Sequence, residues 1–308
     1  MPDSTFGPDR SLVLRLRRSR RKAREAAVAE VVAVLRGLDA RAASGGPLSD
    51  VPGVAWVTLP EENVTSAVGR LCGLGYTAAV ELVTPLKDVG PRDKPLVARW
   101  KGRDVALVRV YEESDDSLRT KAPDQRTFLL ECGDGVVRTI AGYRGGGGVL
   151  EHRALPVVDA RLLVNLVATE AHGRLLDPFA GAGGVIIEAN SKGFTTVSMD
   201  RDRALRFGLA ELSACHVVGD ASALPFAAGS FDAVASEPPY HASALEAIVA
   251  SIPEVARVVR QGRHIAFLVA SEQAAAVRKA GDRAGLRLEL EAAIDRKGTE
   301  VSCLCWAR

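Results

Sequence analysis

The chain has 308 residues, a length that suggests two domains, with 47% hydrophobic and 25% charged residues, an ordinary globular composition that excludes a disordered chain. No apolar run approaches the roughly 18 residues of a membrane span, the start MPDSTFGPDR lacks the basic-then-apolar pattern of a secretory leader, and five cysteines without repeated spacing do not form a disulfide framework; a cytoplasmic, soluble protein is expected. Net charge is +2, but residues 1–24 hold eight Lys/Arg against two Asp, which leaves −4 for the remainder.

Residues 11–43 read as a helix with Ser11 as N-cap and Ala- and Val-rich turns from Ala26 to Leu38, ended by Ser44-Gly45-Gly46-Pro47. This helix carries the basic run Arg15-Leu16-Arg17-Arg18-Ser19-Arg20-Arg21-Lys22-Ala23-Arg24. Such a run is either an arm for a phosphate backbone or a solvated helix end. A strand over Val54 to Leu59, a helix over Glu61 to Leu74 and a strand over Tyr76 to Thr84 follow, the last stopped by Pro85. Trp100-Lys101-Gly102-Arg103 reads as a hairpin turn into Asp104 to Tyr111, and Gly133-Asp134-Gly135 as a second turn between Phe128 to Cys132 and Val136 to Ile140. These elements describe an α+β domain with an antiparallel sheet over residues 1–145. Gly145-Gly146-Gly147-Gly148 then reads as a linker or as a loop that closes over something, the linker being favoured because the pattern changes on its far side.

From residue 150 to 308 strands and helices alternate. Helices are expected over Val158 to Thr169, Gly184 to Lys192 and Arg201 to Ser213, and apolar strands over Arg174 to Pro178, Thr195 to Asp200, His216 to Asp220, Phe231 to Ser236 and His264 to Ala270. Leu286 to Asp295 and Glu300 to Trp306 read as a closing hairpin across Lys297-Gly298. Alternation with apolar strands implies an α/β domain, its parallel sheet covered on both faces and its ligand at the carboxyl ends of the strands.

Four landmarks carry chemistry. The first is Leu175-Leu176-Asp177-Pro178-Phe179-Ala180-Gly181-Ala182-Gly183-Gly184-Val185-Ile186-Ile187-Glu188-Ala189, a strand, a glycine-rich turn and a helix. Its glycines allow close approach of a ligand and the helix start offers free N–H groups, yet it matches neither the dinucleotide fingerprint nor the phosphate-binding P-loop. Asp200, ending the next strand, can accept hydrogen bonds from ribose hydroxyls. Gly219-Asp220-Ala221 and Ser236-Glu237-Pro238-Pro239-Tyr240 complete the series.

In this order the landmarks resemble the S-adenosylmethionine-dependent methyltransferases with a Rossmann-like domain, and within them the tRNA guanosine-N2 methyltransferase branch. The helix Asp159-Ala160-Arg161-Leu162-Leu163-Val164-Asn165-Leu166 is similar to the one that precedes the first motif in that branch. The resemblance implies a mostly parallel seven-stranded sheet with a C-terminal antiparallel hairpin, preceded by a smaller α+β domain. It implies S-adenosyl-L-methionine as cofactor, with Asp177, Phe179, Gly181, Gly183 and Gly184 around its methionine portion, Asp200 on its ribose, and Asp220 with Ala221 at its adenine. Glu237, Pro238, Pro239 and Tyr240 would form the acceptor site for an amino nitrogen, with RNA, most closely tRNA, as the partner. Tyr240 suits stacking on a planar acceptor. For any one of these residues a structural role is the alternative: a tight turn, a cap, a core ring.

Two departures bear on the substrate. Glu237 stands where the family has Asp or Asn, and one methylene moves the oxygens by about 1 Å, a displacement that can cost about a hundredfold in rate. The acceptor then sits farther away or differs, or Glu237 acts as a general base, or the domain binds cofactor without catalysis. Residues 1–150 do not match the RNA-binding module usual in the tRNA enzymes, so the basic arm and Arg99, Trp100, Lys101 and Arg103 are the candidate RNA contacts, the last four with a solvated hairpin as the alternative. A small-molecule or peptide acceptor is the alternative substrate, and a non-catalytic cofactor-binding RNA or regulatory protein the non-enzymatic one. Cys303 and Cys305 share one face of a strand with no partners for a zinc site and read as core thiols. His241 either orients substrate or shuttles a proton, or is a solvated loop histidine; His152, beside the glycine run, is open in the same way, and His216 is expected to enter a strand with no catalytic task.

Overall fold

The computed structural model describes residues 8–90, 94–113, 127–141, 155–169, 173–296 and 298–308. It divides into two compact units, residues 1–117 with 294–298 and residues 118–293 with 299–308. The glycine run at 145–148 lies outside the described residues, as do Tyr143 and His152.

The first unit is a six-stranded sheet of β1 (Asp9–Leu16), β2 (Arg41–Ala42), β3 (Val54–Pro60), β4 (Thr77–Pro85), β5 (Leu96–Trp100) and β6 (Arg103–Glu112), in the order β2-β3-β1-β4-β6-β5. Neighbouring strands in it run antiparallel. Helix α1 (Arg24–Val34) lies against β1 and β3, and the short α2 (Val64–Arg70) follows β3. The long N-terminal helix expected from sequence is therefore replaced by a strand, a short 3-10 turn at Arg18–Arg20 and α1. The reason is burial: Leu12, Val13 and Leu14 are all buried between β3 and β4. A strand covered on both faces reads as a continuous apolar run without alternation, which merges with the Ala/Val-rich helix after it.

The basic run changes meaning with it. Arg15 and Arg109 both pair at 3.0 Å with Glu81, which is only 2% exposed. Arg17 pairs with Glu113 and donates to the Leu74 carbonyl at 3.1 Å. Arg20 is buried with its guanidinium 5.4 Å from the centre of the Tyr76 ring, and Arg24 lies 5.5 Å from that of Trp56. The turn between β5 and β6 falls where expected, with Lys101 and Gly102 at φ 49° and 76°, as a tight two-residue hairpin demands.

The second unit holds the seven-stranded sheet β11-β10-β9-β12-β13-β15-β14, built from β9 (Arg174–Asp177), β10 (Thr195–Asp200), β11 (Cys215–Val218), β12 (Phe231–Ser236), β13 (Val259–Ala270), β14 (Arg287–Arg296) and β15 (Thr299–Ala307). The first five are parallel; β15 runs antiparallel to β13. Helices α3 (Val157–Val167), α4 (Gly184–Ser191), α5 (Arg206–Leu212), α6 (Leu245–Val258) and α7 (Ser271–Arg283) connect or cover the strands. Leu175, Leu176, Val234 and Ala235 are fully buried, as expected for parallel strands covered on both faces. Nine consecutive residues of α3, Asp159–Val167, are buried, and its Arg161 pairs at 2.9 Å with Glu188 of α4, both side chains under a tenth exposed.

The hairpin around Gly133-Asp134-Gly135 also forms, as β7 (Thr127–Glu131) and β8 (Val137–Ala141), but as a separate two-stranded sheet. Sequence order assigns it to the first domain's sheet; in the structure it belongs with the second unit, packed on α5. Phe128 fills the space that a Cβ on Gly208 would occupy, the nearest ring atom lying 2.3 Å from that position, and Glu131 pairs with Arg206. Gly208→Ala is expected to cost about 1–3 kcal/mol by overpacking. Urea unfolding should show the loss, and Phe128→Leu combined with it should cost less than the sum of the two single changes.

Candidate active site

Strand β9 has β10 on one side and β12 on the other, so successive connections leave it in opposite directions and a crevice opens at the carboxyl ends between them. Asp177 ends β9 and Ser236 ends β12. The Ser236 hydroxyl donates to Asp177 Oδ1 at 2.6 Å, and the Phe179 N–H donates to the same oxygen at 3.2 Å. Asp177 is 2% exposed. Burial outweighs those two donors and pushes its carboxyl up to about 7, with the charges of Asp200 and Glu237 adding to the rise.

The glycine-rich turn is tied to the end of β10. Gly181 adopts φ 52° and donates its N–H to Asp200 Oδ2 at 2.8 Å, while Asp202 N–H donates to Oδ1 at 2.8 Å. Ala180 N–H donates to the Met199 carbonyl at 2.9 Å. Gly183, at φ 83°, has a packing role, since a Cβ there would lie 2.6 Å from Leu212 of α5. Gly181 and Gly183 both take left-handed backbone in the turn, and Gly183 in addition leaves room for Leu212.

A small, open cleft lies over this turn. Of the residues expected from sequence, Asp177, Phe179, Gly181, Gly184 and Glu237 line it; Leu155, Ala180 and Val185 complete its wall. Phe179 also packs edge-on against Phe267, ring centres 6.3 Å apart. Gly183, Asp200, Asp220, Ala221, Pro238 and Tyr240 are not in that lining. Asp200 stands behind Gly181. Asp220 is exposed, and the Ser222 N–H and hydroxyl, at 2.8 and 2.7 Å, hold its carboxyl below the usual range. The lining holds two carboxyl groups and no Lys, Arg or His, so it suits a cation and opposes a phosphate.

Beyond β12 the chain runs through Glu237, Pro238, Pro239 and Tyr240, of which Pro238 is buried. The Tyr240 hydroxyl donates to Glu237 Oε1. Gln273 in the first turn of α7, 3% exposed, donates from Nε2 to the carbonyls of Pro239 at 3.1 Å and His241 at 3.3 Å. Its Oε1 accepts the Ala270 N–H at 3.2 Å. Sequence reasoning passed over Gln273; the available signal was a polar residue on the stripe Gln273, Val277, Ala280 that α7 buries. His241 is exposed, within 2.8 Å of the Ser243 hydroxyl. Cys303 and Cys305 are buried in β15, and among the described residues no group of three or more His, Cys, Asp or Glu is disposed to hold a metal.

The crystal structure of TrmN from Thermus thermophilus superposes on 97% of this chain and 99% of its own, with TM-score 0.50 and 16% identity. The fold is that of the Rossmann-like methyltransferases. The superposition extends through the first unit, for which sequence offered no match. Residues 161–277 match the family model described as "Conserved hypothetical protein 95". Two tRNA (guanine(10)-N2)-dimethyltransferases are similar in sequence: one from Methanothermobacter thermautotrophicus, 35% identical over 91 residues, and one from Pyrococcus abyssi, 37% identical over 99 residues. The matched stretches are 28% and 29% of this chain and 27% and 30% of those relatives.

The buried carboxyl makes a checkable demand. Between the unfolded value of 3.8 and about 7 the folded protein keeps the Asp177 proton and the unfolded chain has lost it, so stability falls as pH rises through that window. Asp177→Asn keeps an acceptor for Ser236 and removes the titration. The stability of the unliganded wild type, relative to this variant, should therefore decline by up to about 1.4 kcal/mol per pH unit across the window in melts between about pH 5 and pH 8.

Proposed function

We propose that the protein is an S-adenosylmethionine-dependent methyltransferase acting on an amino nitrogen of RNA, with guanosine N2 in tRNA as the preferred acceptor. The observation that carries this reading is the acid-lined cleft beside the glycine turn, with Glu237 in its lining and Pro238-Pro239-Tyr240 next in the chain. S-adenosylmethionine suits the donor set, because its sulfonium and ammonium charges suit a lining of two carboxyls without a cation. When bound it supplies an electrophilic methyl group. Asp177, Phe179, Gly181, Gly183 and Gly184 are proposed to hold or shape the site of its methionine portion, Asp200 its ribose, and Asp220 with Ala221 its adenine.

An exocyclic amine conjugated to a base is a weak nucleophile. Glu237 and the backbone carbonyl at Pro238 accept its hydrogens, concentrate the lone pair on nitrogen and aim it along the line of displacement. The Glu237 carboxylate takes the proton released as the nitrogen is methylated. The Tyr240 ring supplies a planar face beside the acceptor. The substrate assignment draws on the two tRNA-methylating relatives, whose similarity covers less than a third of this chain.

Incubation with methyl-labelled cofactor and total tRNA should place label on guanosine, and Glu237→Ala should lower that transfer at least about a hundredfold at cofactor concentrations that saturate the variant. Label entering a peptide or metabolite pool instead would move the acceptor to the alternative class, and binding without transfer to any pool would leave a cofactor-binding protein. Affinity for the cationic cofactor should rise with pH up to about 7 as Asp177 ionises, then level off, as read by calorimetry.

The basic segment requires point changes. Truncation of residues 1–24 would remove β1 from the centre of its sheet. Arg18 and Arg21 are exposed. Replacing both with Gln should reduce the salt dependence of RNA binding, by about 0.7–0.9 in the log–log slope for each phosphate that the variant no longer neutralises. An unchanged slope would assign the segment to the structure of the first unit alone.

A further inference from the structure

We propose that the Tyr240 hydroxyl and the Gln273 amide are positioning groups that set where the Glu237 carboxylate stands, and so compensate for its extra methylene. The inference rests on the reading that Glu237 receives the acceptor amine. Three observations support it. The Tyr240 hydroxyl donates directly to Glu237 Oε1, across two prolines whose fixed φ angles restrict the intervening backbone. Gln273 is buried and holds the carbonyls of Pro239 and His241, one on each side of Tyr240. The Gln273 amide is itself oriented, because its oxygen accepts the Ala270 N–H and its nitrogen is thereby turned toward the loop.

The chemistry explains why Glu needs this help and Asp does not. A glutamate side chain has one more rotatable bond than an aspartate, and a carboxylate that must meet an amine at one place has to lose that freedom. A hydroxyl bound to one oxygen removes that freedom. The phenol can do so only if its own backbone is held, which is what Gln273 does. Tyr240 then has two separable parts. Its ring offers a face to the acceptor, and its hydroxyl acts through Glu237.

The test is a double-mutant cycle in the labelled-transfer assay, with Tyr240→Phe, Glu237→Asp and their combination. Tyr240→Phe should lower kcat about tenfold or more with acceptor KM and cofactor affinity unchanged, because the ring remains. In the Glu237→Asp background the same change should cost at least about fivefold less, since the shorter side chain no longer meets the hydroxyl. Tyr240→Leu, which also removes the ring, should raise acceptor KM in addition. Gln273→Glu, which sets a carboxylate oxygen against two carbonyls, should lower kcat in the same manner as Tyr240→Phe.

A second readout needs no turnover. The chain has four tyrosines, and the Cζ resonance of labelled Tyr240 reports the hydrogen bond that its phenol donates. That resonance should shift in Glu237→Asp and in Gln273→Glu. Additive losses in the cycle, or a resonance unmoved by Glu237→Asp, would overturn the proposal. Absence of methyl transfer by the wild type together with a shifted resonance would instead overturn the proposed reaction and leave the hydrogen-bonded arrangement standing.

Discussion

A carboxyl group buried where two parallel strands part must be neutral, well hydrogen-bonded or matched by a cation. Asp177 meets that constraint by halves. Ser236 and the Phe179 N–H supply two donors, and burial still leaves the group poised near neutrality. The surrounding architecture serves this point. Strand order brings β9 beside β12, the glycine turn bends away over α4, and Asp200 anchors the turn through Gly181. A positively charged ligand would complete the electrostatics that the protein leaves unbalanced, and for the same reason the crevice opposes a phosphate.

Most of the second unit was legible because its local signals agree with its tertiary role. Apolar strands of four to six residues, glycines where the turn needs them and acids at strand ends all point to one topology. Asp177, Phe179, Gly181, Gly184 and Glu237 could be named because each lies in a short contiguous motif that the fold carries into the cleft intact. Gln273 could not, since its task depends on a loop more than thirty residues away in sequence. Leu155 escaped notice, and Val185, inside the first motif, drew no role, because wall residues look like any apolar side chain. Gly183 lay inside the motif, and only the approach of Leu212 shows that helix packing is its concern.

The first unit was misread where composition and context diverge. Arginine-rich segments suggest a solvated or nucleic-acid-binding face, yet Arg15, Arg17 and Arg20 serve carboxylates, carbonyls and an aromatic ring within their own unit. Glu81, nearly inaccessible to solvent, is tolerable because two guanidiniums flank it. Such pairings join residues far apart in the chain, so no window of sequence displays them. The β7–β8 hairpin illustrates the same limit at the level of domains. Its turn was readable from Gly133-Asp134-Gly135, but its allegiance was decided by Phe128 entering the space above Gly208.

The central place of β1 has a consequence for biosynthesis. Leu12 pairs with Val57 on one side and Leu82 on the other, so this strand emerges from the ribosome long before either neighbour exists. Until β4 has been made, an apolar segment with two unpaired edges must wait in the nascent chain, exposed to wrong partners and to chaperones. The arginines interleaved and clustered around Leu14 and Leu16 give that waiting segment charge, and mutual repulsion between such segments opposes their association. The same side chains that later satisfy Glu81 and Glu113 thus guard the strand during its most vulnerable interval.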